Sequence, residues 1–418
     1  MGRVSRARLR LVATVAAVGT FLMLGAPVVA TGTPSPNAPL APVARTPTSS
    51  PAGAGSLRAM LALAPDVLAG PNRPTGQVAM YADQAAQLAA VGVAAPQSSS
   101  DAAGVARWTR ATQWLTLPSP VGDHALIPDW RQTFGFDVFQ ISQSLQVGDP
   151  PNQITFLRGH FNANEVQGAL TRDGYKRLDE AGVIVFSLRA NATVDLTSKV
   201  GQLALASMNN AALLPDGTLV AASTLSNVRA VIAVAQGKAA SLAQRVDIGA
   251  LLGALATKLA SAIIVPGSAL RLNPAAAVVT SGPGTAAAAI ATQVQALGKL
   301  PPVTLGLIGV TPGGPLPPAS GGTPAPVPMG AGSARDVIAL VMATQGAAEQ
   351  AVPVIERRLA TATSPVTQRP YNDLFSHSVV RAVPGKPVVL VELTPSSSTL
   401  PGIVVSMLFQ RDLLFVAW

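Results

Sequence analysis

Three residues with side chains capable of catalysis lie close together near the end of the sequence. Asp373, Ser376 and His377 fall within the stretch YNDLFSHS. An acid, a hydroxyl and an imidazole are the groups that a serine hydrolase uses as orienting group, nucleophile and general base. Such triads are assembled in space, and neighbours in sequence rarely form one. We therefore predict no catalytic residue, and a hydrolase whose active residues meet only on folding remains an alternative.

The residue types that bind metals are sparse. His124 and His160 are far from each other and from His377, and the chain has no cysteine. Zinc sites need clustered thiolates or imidazoles, which this spacing does not provide. The Pro-Asp-Gly turn at Pro215–Gly217 lacks the further oxygen ligands of a calcium loop. The sequence therefore predicts neither a metal site nor a cofactor.

Paired carboxylates are equally poor candidates for glycoside cleavage. Asp179 and Glu180 lie beside Lys176 and Arg177, with one leucine between the two pairs, which is typical of a solvated turn. A sugar-cleaving site would also need aromatic side chains for stacking, and aromatics make up only 4% of the chain. The tryptophans available for such a cleft are Trp108, Trp114, Trp130 and Trp418.

The stretch FLRGHFNANEVQGALTRDGY, Phe156–Tyr175, has the strand, turn and helix order of a phosphate-binding turn. A dinucleotide site requires Gly-x-Gly-x-x-Gly, so that backbone N–H groups can approach the pyrophosphate. Here one glycine is followed by the bulky His160 and Phe161. The segment Ser281–Thr285, SGPGT, could form a small anion-binding nest before a helix, but such turns arise readily in a chain with 37 glycines. We interpret the Phe156–Tyr175 stretch as structural.

Its residue pattern supports that interpretation. Asn162 is placed to cap the helix, with Glu165 reaching back in a capping box. Gly174 supplies a left-handed C-terminal stop. The buried face of this helix is predicted to comprise Val166, Ala169 and Leu170.

Residues 154–236 resemble a pattern found in uncharacterised exported bacterial proteins. The elements that carry this resemblance are LRGHFNANEVQGALTRDGY, GVIVFS, LLPDGTLVAAS and VRAVI, read as strand, capped helix, Gly-Tyr, strand, Asp-Gly hairpin and helix. These motifs are structural, so the resemblance implies a fold and no activity.

The element order predicts an α+β fold with mixed, largely antiparallel sheets and packed helices. The order β-α-β followed by a hairpin recurs in both halves, so two repeated β-α-β-β-β units are a further hypothesis. A helix is also predicted at Val78–Gly92, and a buried helix followed by a strand at Asp247–Gly267. The elements predicted for the second half are a strand at Arg335–Thr344, a helix at Gln345–Ala362 that Pro353 must start or kink, a strand at Pro387–Pro395 and a hairpin at Ile403–Trp418 turning at Gln410–Asp412.

The N-terminal composition predicts export. Arg3, Arg6, Arg8 and Arg10 precede an apolar run over residues 11–30 that ends in small residues, as in a cleavable signal peptide. An uncleaved anchor over residues 11–30 is the alternative. The predicted organisation is a signal peptide at 1–30, a disordered Pro/Ser/Thr-rich tether at 31–56, a larger α+β domain at 57–310, a Pro/Gly-rich linker at 311–334 and a second α+β unit at 335–418, packed on the first.

Charge limits the range of partners. The formal charge of +9 includes the four arginines of the signal, so a mature chain would carry 25 basic against 20 acidic residues, or +5. No basic cluster with interleaved aromatics is present, which argues against nucleic acid as a partner. We predict a non-enzymatic extracytoplasmic binding protein. The sequence does not identify its partner, and the candidates are a cell-wall polymer, another envelope protein and a small apolar ligand. A sensor anchored in the membrane through residues 11–30 is a second alternative.

Overall fold

The computed structural model describes residues 54–66, 79–91, 94–96, 98–112, 128–148, 152–255, 258–271, 292, 295–312, 334–399 and 401–418. The predicted signal peptide, nearly all of the tether and of the Pro/Gly-rich linker, His124, Trp114 and Ser281–Thr285 lie outside these residues.

A single open sheet of twelve strands organises the described residues, and every strand pairing in it is antiparallel. The predicted α+β class is therefore confirmed, with the predicted halves joined in one sheet. The strands are β1 Ala79–Asp83, β2 Ile141–Val147, β3 Ile154–Gly159, β4 Lys176–Glu180, β5 Val183–Ser187, β6 Asn210–Leu213, β7 Leu219–Ala222, β8 Ser261–Pro266, β9 Val303–Thr311, β10 Arg335–Met342, β11 Phe375–Ala382 and β12 Val388–Pro395.

Helices cover both faces of the sheet, because most strands carry apolar residues on both faces and both must be buried. The described helices are α1 Ala54–Leu61, α2 Gln84–Val91, α3 Ala102–Thr112, α4 Pro128–Phe134, α5 Ala163–Arg172, α6 Lys199–Ala204, α7 Leu225–Ala235, α8 Val246–Ala254, α9 Gln345–Thr361, α10 Tyr371–Leu374 and α11 Ile403–Phe409. One face of the sheet packs a continuous core against α1, α7 and α8. The other face carries two cores, one against α4, α5 and α6 and the other against α9 and α11.

The strand order has a near-symmetric centre. It reads β11-β12-β10-β9-β8-β1-β2-β3-β7-β6-β5-β4, and the central pair β8 and β1 is antiparallel. Three consecutive strands run outward on each side of the centre, β1 to β3 on one side and β8 to β10 on the other. A helix, α5 or α9, then leads to a strand at the outer edge of the sheet. The strands that follow return inward, and the last of them pairs with β3 or β10. The two halves thus repeat one topology, and the first half has an additional hairpin.

Several local predictions are confirmed. Asn162 caps α5 by accepting from the N–H groups of Asn164 and Glu165, and Gly174 has φ of +86°. Glu165 accepts from the Asn162 side-chain amide instead of its backbone N–H. The predicted face of α5 is buried, as are Phe134 and Phe136 in the neighbouring aromatic core.

The predicted hairpin at Ile403–Trp418 is wrong. Residues 403–409 form α11, whose buried face includes Val404, Val405 and Met407. Gly402 turns the chain into this helix with φ of +82°, and its N–H donates to the buried carboxylate of Asp336. This long-range cap, provided by β10, favours a helix where the residue pattern suggested strands.

Three further elements differ from prediction. The predicted helix at Val78–Gly92 begins only at Gln84, because residues 79–83 form β1, paired on both sides at the centre of the sheet. Asp179 and Glu180 belong to the edge strand β4, and the turn lies at Ala181 and Gly182, both with positive φ as a tight hairpin requires.

Between the predicted helix at Gln345–Ala362 and the predicted strand at Pro387–Pro395, the structure has a strand that was not predicted, β11. Helix α9 begins at Gln345, eight residues before Pro353, so the proline does not start the helix. The predicted helix and strand at Asp247–Gly267 are confirmed as α8 and β8. Within the described residues, no helix combines the length and the apolar character needed to cross a bilayer.

Candidate functional site

The predicted acid, hydroxyl and imidazole are not brought together. His377 lies exposed on edge strand β11, and Asp373 lies exposed in α10. Ser376 is the extra residue of a β-bulge, and its hydroxyl donates to the backbone carbonyls of Thr394 and Pro395. These three residues are all described, and no hydrogen bond or ion pair joins them to one another. The geometry offers no activated nucleophile here.

A row of polar side chains crosses the centre of the sheet, which the sequence did not indicate. Asp83, Gln143 and Arg158 lie opposite one another on β1, β2 and β3. Lys258 Nζ lies 3.5 Å from Asp83 Oδ2, which also accepts from Gln143 Nε2 at 3.3 Å. Asp83 is 1% exposed, so these side chains contact its carboxylate in place of water.

The other end of this row is also paired. Arg158 donates from Nε to Thr218 Oγ1 and from Nη2 to Asp216, both at 3.1 Å. Lys258 and Arg158 are therefore each paired with a carboxylate of the protein. Such pairing is typical of a structural network, because a site for a charged ligand needs charges that the protein does not already neutralise. Burial raises the pKa of Tyr81, whose hydroxyl points at Asp83 at 3.5 Å.

A second buried network lies under the C-terminal segment. Asp412, fully buried, accepts from Ser364 Oγ at 2.6 Å and from Tyr371 Oη at 3.2 Å. Tyr371 Oη also donates to the backbone carbonyl of Asp412 and accepts from the N–H of Leu414. Burial raises the pKa of Asp412 to about 6. The three side chains resemble a catalytic set in type, but their bonds serve to hold residues 412–414 against α10.

Arg358 provides a third buried polar centre, and it has no carboxylate partner among the described residues. Its Nη1 donates to the carbonyls of Leu414 and Ala417, and its Nη2 to the carbonyl of Gly298. Burial lowers its pKa to about 10. A guanidinium that satisfies three carbonyls in this way fixes the end of the chain on α9.

An open groove of about 500 Å³ lies between α4 and α5, on the face opposite the central polar row. Two glycines, Gly135 and Gly168, keep it free of side chains at two places. Gly135, with φ of +75°, lets the two helices approach closely, because a Cβ there would collide with the backbone of Glu165. The groove is lined by Arg131, Gln132, Gly135, Asn164, Glu165, Gly168, Ala169 and Arg172.

The charges of this groove are not balanced. Arg131 lies 3.7 Å from Glu165, and both side chains are about half exposed, so this pair is weak. Arg172 donates to the backbone carbonyl of Gln132 at 2.5 Å. The described lining residues therefore contribute two guanidinium groups and one carboxylate, together with the amides of Gln132 and Asn164. Guanidinium and amide N–H groups are donors suited to phosphate or carboxylate oxygens.

Metal chemistry has little support in the described residues, where no group of three or more His, Asp or Glu side chains lies close enough to hold an ion. Comparisons with protein-family models, with curated proteins and with solved structures found no match for this chain.

Proposed function

We propose that the chain is an exported, non-enzymatic binding protein of the cell envelope that holds an anionic group of a wall polymer in the α4–α5 groove. The observation that carries this proposal is the groove itself, where Arg131, Arg172 and two side-chain amides face solvent and Glu165 is the one carboxylate among the described lining residues. Arginine presents a planar array of donors that matches the oxygens of phosphate and carboxylate groups.

The distribution of the other polar groups supports binding over catalysis. The buried carboxylates of Asp83 and Asp412 are each bonded to several protein donors, and Asp336 bonds to backbone N–H groups. Among the residues that the structure describes, no acid or hydroxyl is bonded to His377 on its exposed strand. A nucleophile must be activated by a neighbouring base, and the rival hydrolase lacks that arrangement at the residues that suggested it.

Export is supported by the sequence of the first thirty residues, where arginines precede an apolar run and small residues. Mass spectrometry of the protein from its native host distinguishes the two fates of this segment. A mature terminus at Thr31 supports a released protein, whereas an intact terminus supports the anchored alternative.

The binding proposal is tested by calorimetric titration of the chain beginning at Thr31. The probes are inorganic phosphate, a soluble polyglycerol phosphate, a polycarboxylate and an uncharged glycan. Binding of an anionic probe but not of the uncharged glycan is expected, and it should weaken with salt. No binding of any anionic probe overturns the proposal.

Variants of the groove sharpen that test. Arg172→Ala should weaken binding by about five- to tenfold, because a charge-assisted hydrogen bond is lost. Glu165→Gln should strengthen it, since it removes the groove's one carboxylate and keeps an oxygen to accept from Asn162. Arg177→Ala, on edge strand β4, is the matched control and should bind as the wild type does. Equal effects of Arg172→Ala and Arg177→Ala would show that binding is not located in the groove.

A further inference from the structure

The two edges of the sheet are protected to different degrees. β4 has five residues, of which Lys176, Arg177, Asp179 and Glu180 are charged, and charged side chains are a usual guard against pairing with another chain. β11 has eight residues, and Arg381 is its one Lys, Arg, Asp or Glu. It contains no proline, and residues 376–379 are exposed.

The hydrogen bonding of β11 shows which backbone groups face outward. The N–H of Val383 donates to the carbonyl of Val388 at 2.8 Å, just beyond the last residue pair of the β11–β12 ladder, Ala382 with Val389. In an antiparallel ladder, hydrogen-bonded pairs alternate with non-bonded ones. Val379 and Arg381 therefore bond to β12. The N–H and C=O groups that point away from β12 are those of Ser378, Val380 and Ala382.

We propose that this edge binds a second copy of the chain, β11 against β11, in an antiparallel two-fold arrangement. Only residues with outward backbone groups can form the hydrogen-bonded pairs, so Ser378, Val380 and Ala382 must face even-numbered residues of the second copy. Centring the pair on Val379 meets this condition for Ser378 and Val380 over residues 377–381, short of the bulge at Ser376. It also places the apolar Val379 on the axis, whereas centring on Val380 would place Val379 beside Arg381 of the second copy. Ser378 then pairs with Val380 of the second copy, and His377 lies beside its Arg381.

The side chains of β11 suit pairing with themselves. Val379, 36% exposed, lies on the axis and contacts its own counterpart, which gives the new interface an apolar centre. The Arg381 side chains of the two copies are kept apart, because each faces His377. An isologous contact of this kind closes on itself, whereas pairing of β11 with β4 of another copy would continue into a filament.

Sedimentation equilibrium of the chain beginning at Thr31, over a range of concentrations, tests the proposal. A reversible dimer is expected. Ser378→Pro should raise the dimer dissociation constant by about tenfold or more, because it removes an outward N–H that β12 does not use. A wild type that stays monomeric up to its solubility limit overturns the proposal. It does so even if the edge is found to bind a peptide of another protein.

A charge pair on the axis gives a test that loss of folding cannot imitate. Val379→Lys and Val379→Glu should each be monomeric, since each places like charges opposite one another. Mixed in equal amounts, the two variants should form a heterodimer. Val379→Thr, which keeps the β-branched shape, is the control and should dimerise. A dimer that persists in Val379→Lys, or a mixture that remains monomeric, contradicts the proposed register.

Discussion

The carboxylate of Asp336 accepts a hydrogen bond of 2.6 Å from the backbone N–H of Gly402, 66 residues further along the chain. Its second backbone donor is the N–H of Val404, so the acid at the start of β10 caps α11. The other oxygen, Oδ2, has no hydrogen-bond partner in the described part of the chain, although the residue is fully buried. Burial raises the pKa of Asp336 to about 7.

Replacing Asp336 with asparagine should reduce the pH dependence of stability. Because its folded-state pKa lies above the ordinary value of 3.8, the folded protein binds a proton more tightly there than the unfolded chain does. This contribution to stability is complete below about pH 4 and is lost as pH rises through about 7. Urea unfolding at pH 5 and pH 8 should show a smaller difference for Asp336→Asn than for the wild type. Equal differences would contradict the assigned pKa.

Asp336→Ala separates capping from titration. It removes the acceptor for the N–H groups of Gly402 and Val404, and should cost about 1–3 kcal/mol in the free energy of unfolding. Asparagine retains that acceptor and should cost less at pH 8.

Ser364→Ala tests the buried network around Asp412. The Ser364 hydroxyl donates at 2.6 Å to Asp412 Oδ2, so its loss leaves a buried carboxylate with fewer donors. We expect a loss of about 1–3 kcal/mol in the free energy of unfolding, together with a further rise in the pKa of Asp412. Ser376→Ala, at an exposed position, is the control and should change stability by less than about 0.5 kcal/mol. Equal losses in the free energy of unfolding for the two variants would show that the effect does not come from the buried network.

Arg358→Met should loosen the C-terminal segment. The guanidinium satisfies the carbonyls of Gly298, Leu414 and Ala417, and methionine leaves all three without that donor. A loss of about 3 kcal/mol and faster proteolysis after Asp412 are expected. Arg357→Met, on the exposed side of the same helix, should change neither quantity. Unchanged proteolysis in Arg358→Met would count against this anchoring role.

The two glycines of the groove should respond in opposite directions to alanine. No atom lies within 4 Å of the position a Cβ would take at Gly168 in α5, so Gly168→Ala should stabilise the protein by up to about 1 kcal/mol. Gly135 has φ of +75°, and a Cβ there meets the backbone of Glu165 and Val166, so Gly135→Ala should destabilise it. Thermal unfolding of both variants checks this, and a gain at Gly135 would contradict the close approach of α4 to α5.

Local signals were sufficient where neighbours in sequence decide the structure. The Asn162 cap, the Gly174 stop and the Asp-Gly turn between β6 and β7 all act over a few residues, and each was predictable. The apolar strands β3 and β10 were predictable for the same reason.

Long-range contacts explain what the sequence could not show. Residues 403–409 are helical because Asp336 caps them from another element. The charged segment β4 forms a strand because it pairs with β5. The short segment β1 forms a strand because it pairs with β2 on one side and with β8 on the other. The groove combines Arg131 and Arg172, 41 positions apart, and nothing in their local sequences marks them as neighbours.

The pairing of β9 with β10 determines how this protein can be divided. Their ladder of eight residue pairs joins chain on either side of the proline-rich segment that suggested a boundary. If the chain were cut in that segment and the two pieces were expressed separately, β9 and β10 would each become an exposed apolar edge strand. We expect the two pieces to aggregate and not to fold as independent domains. The described residues on both sides of that segment are therefore best regarded as one folding unit, although the composition between them resembles a domain boundary.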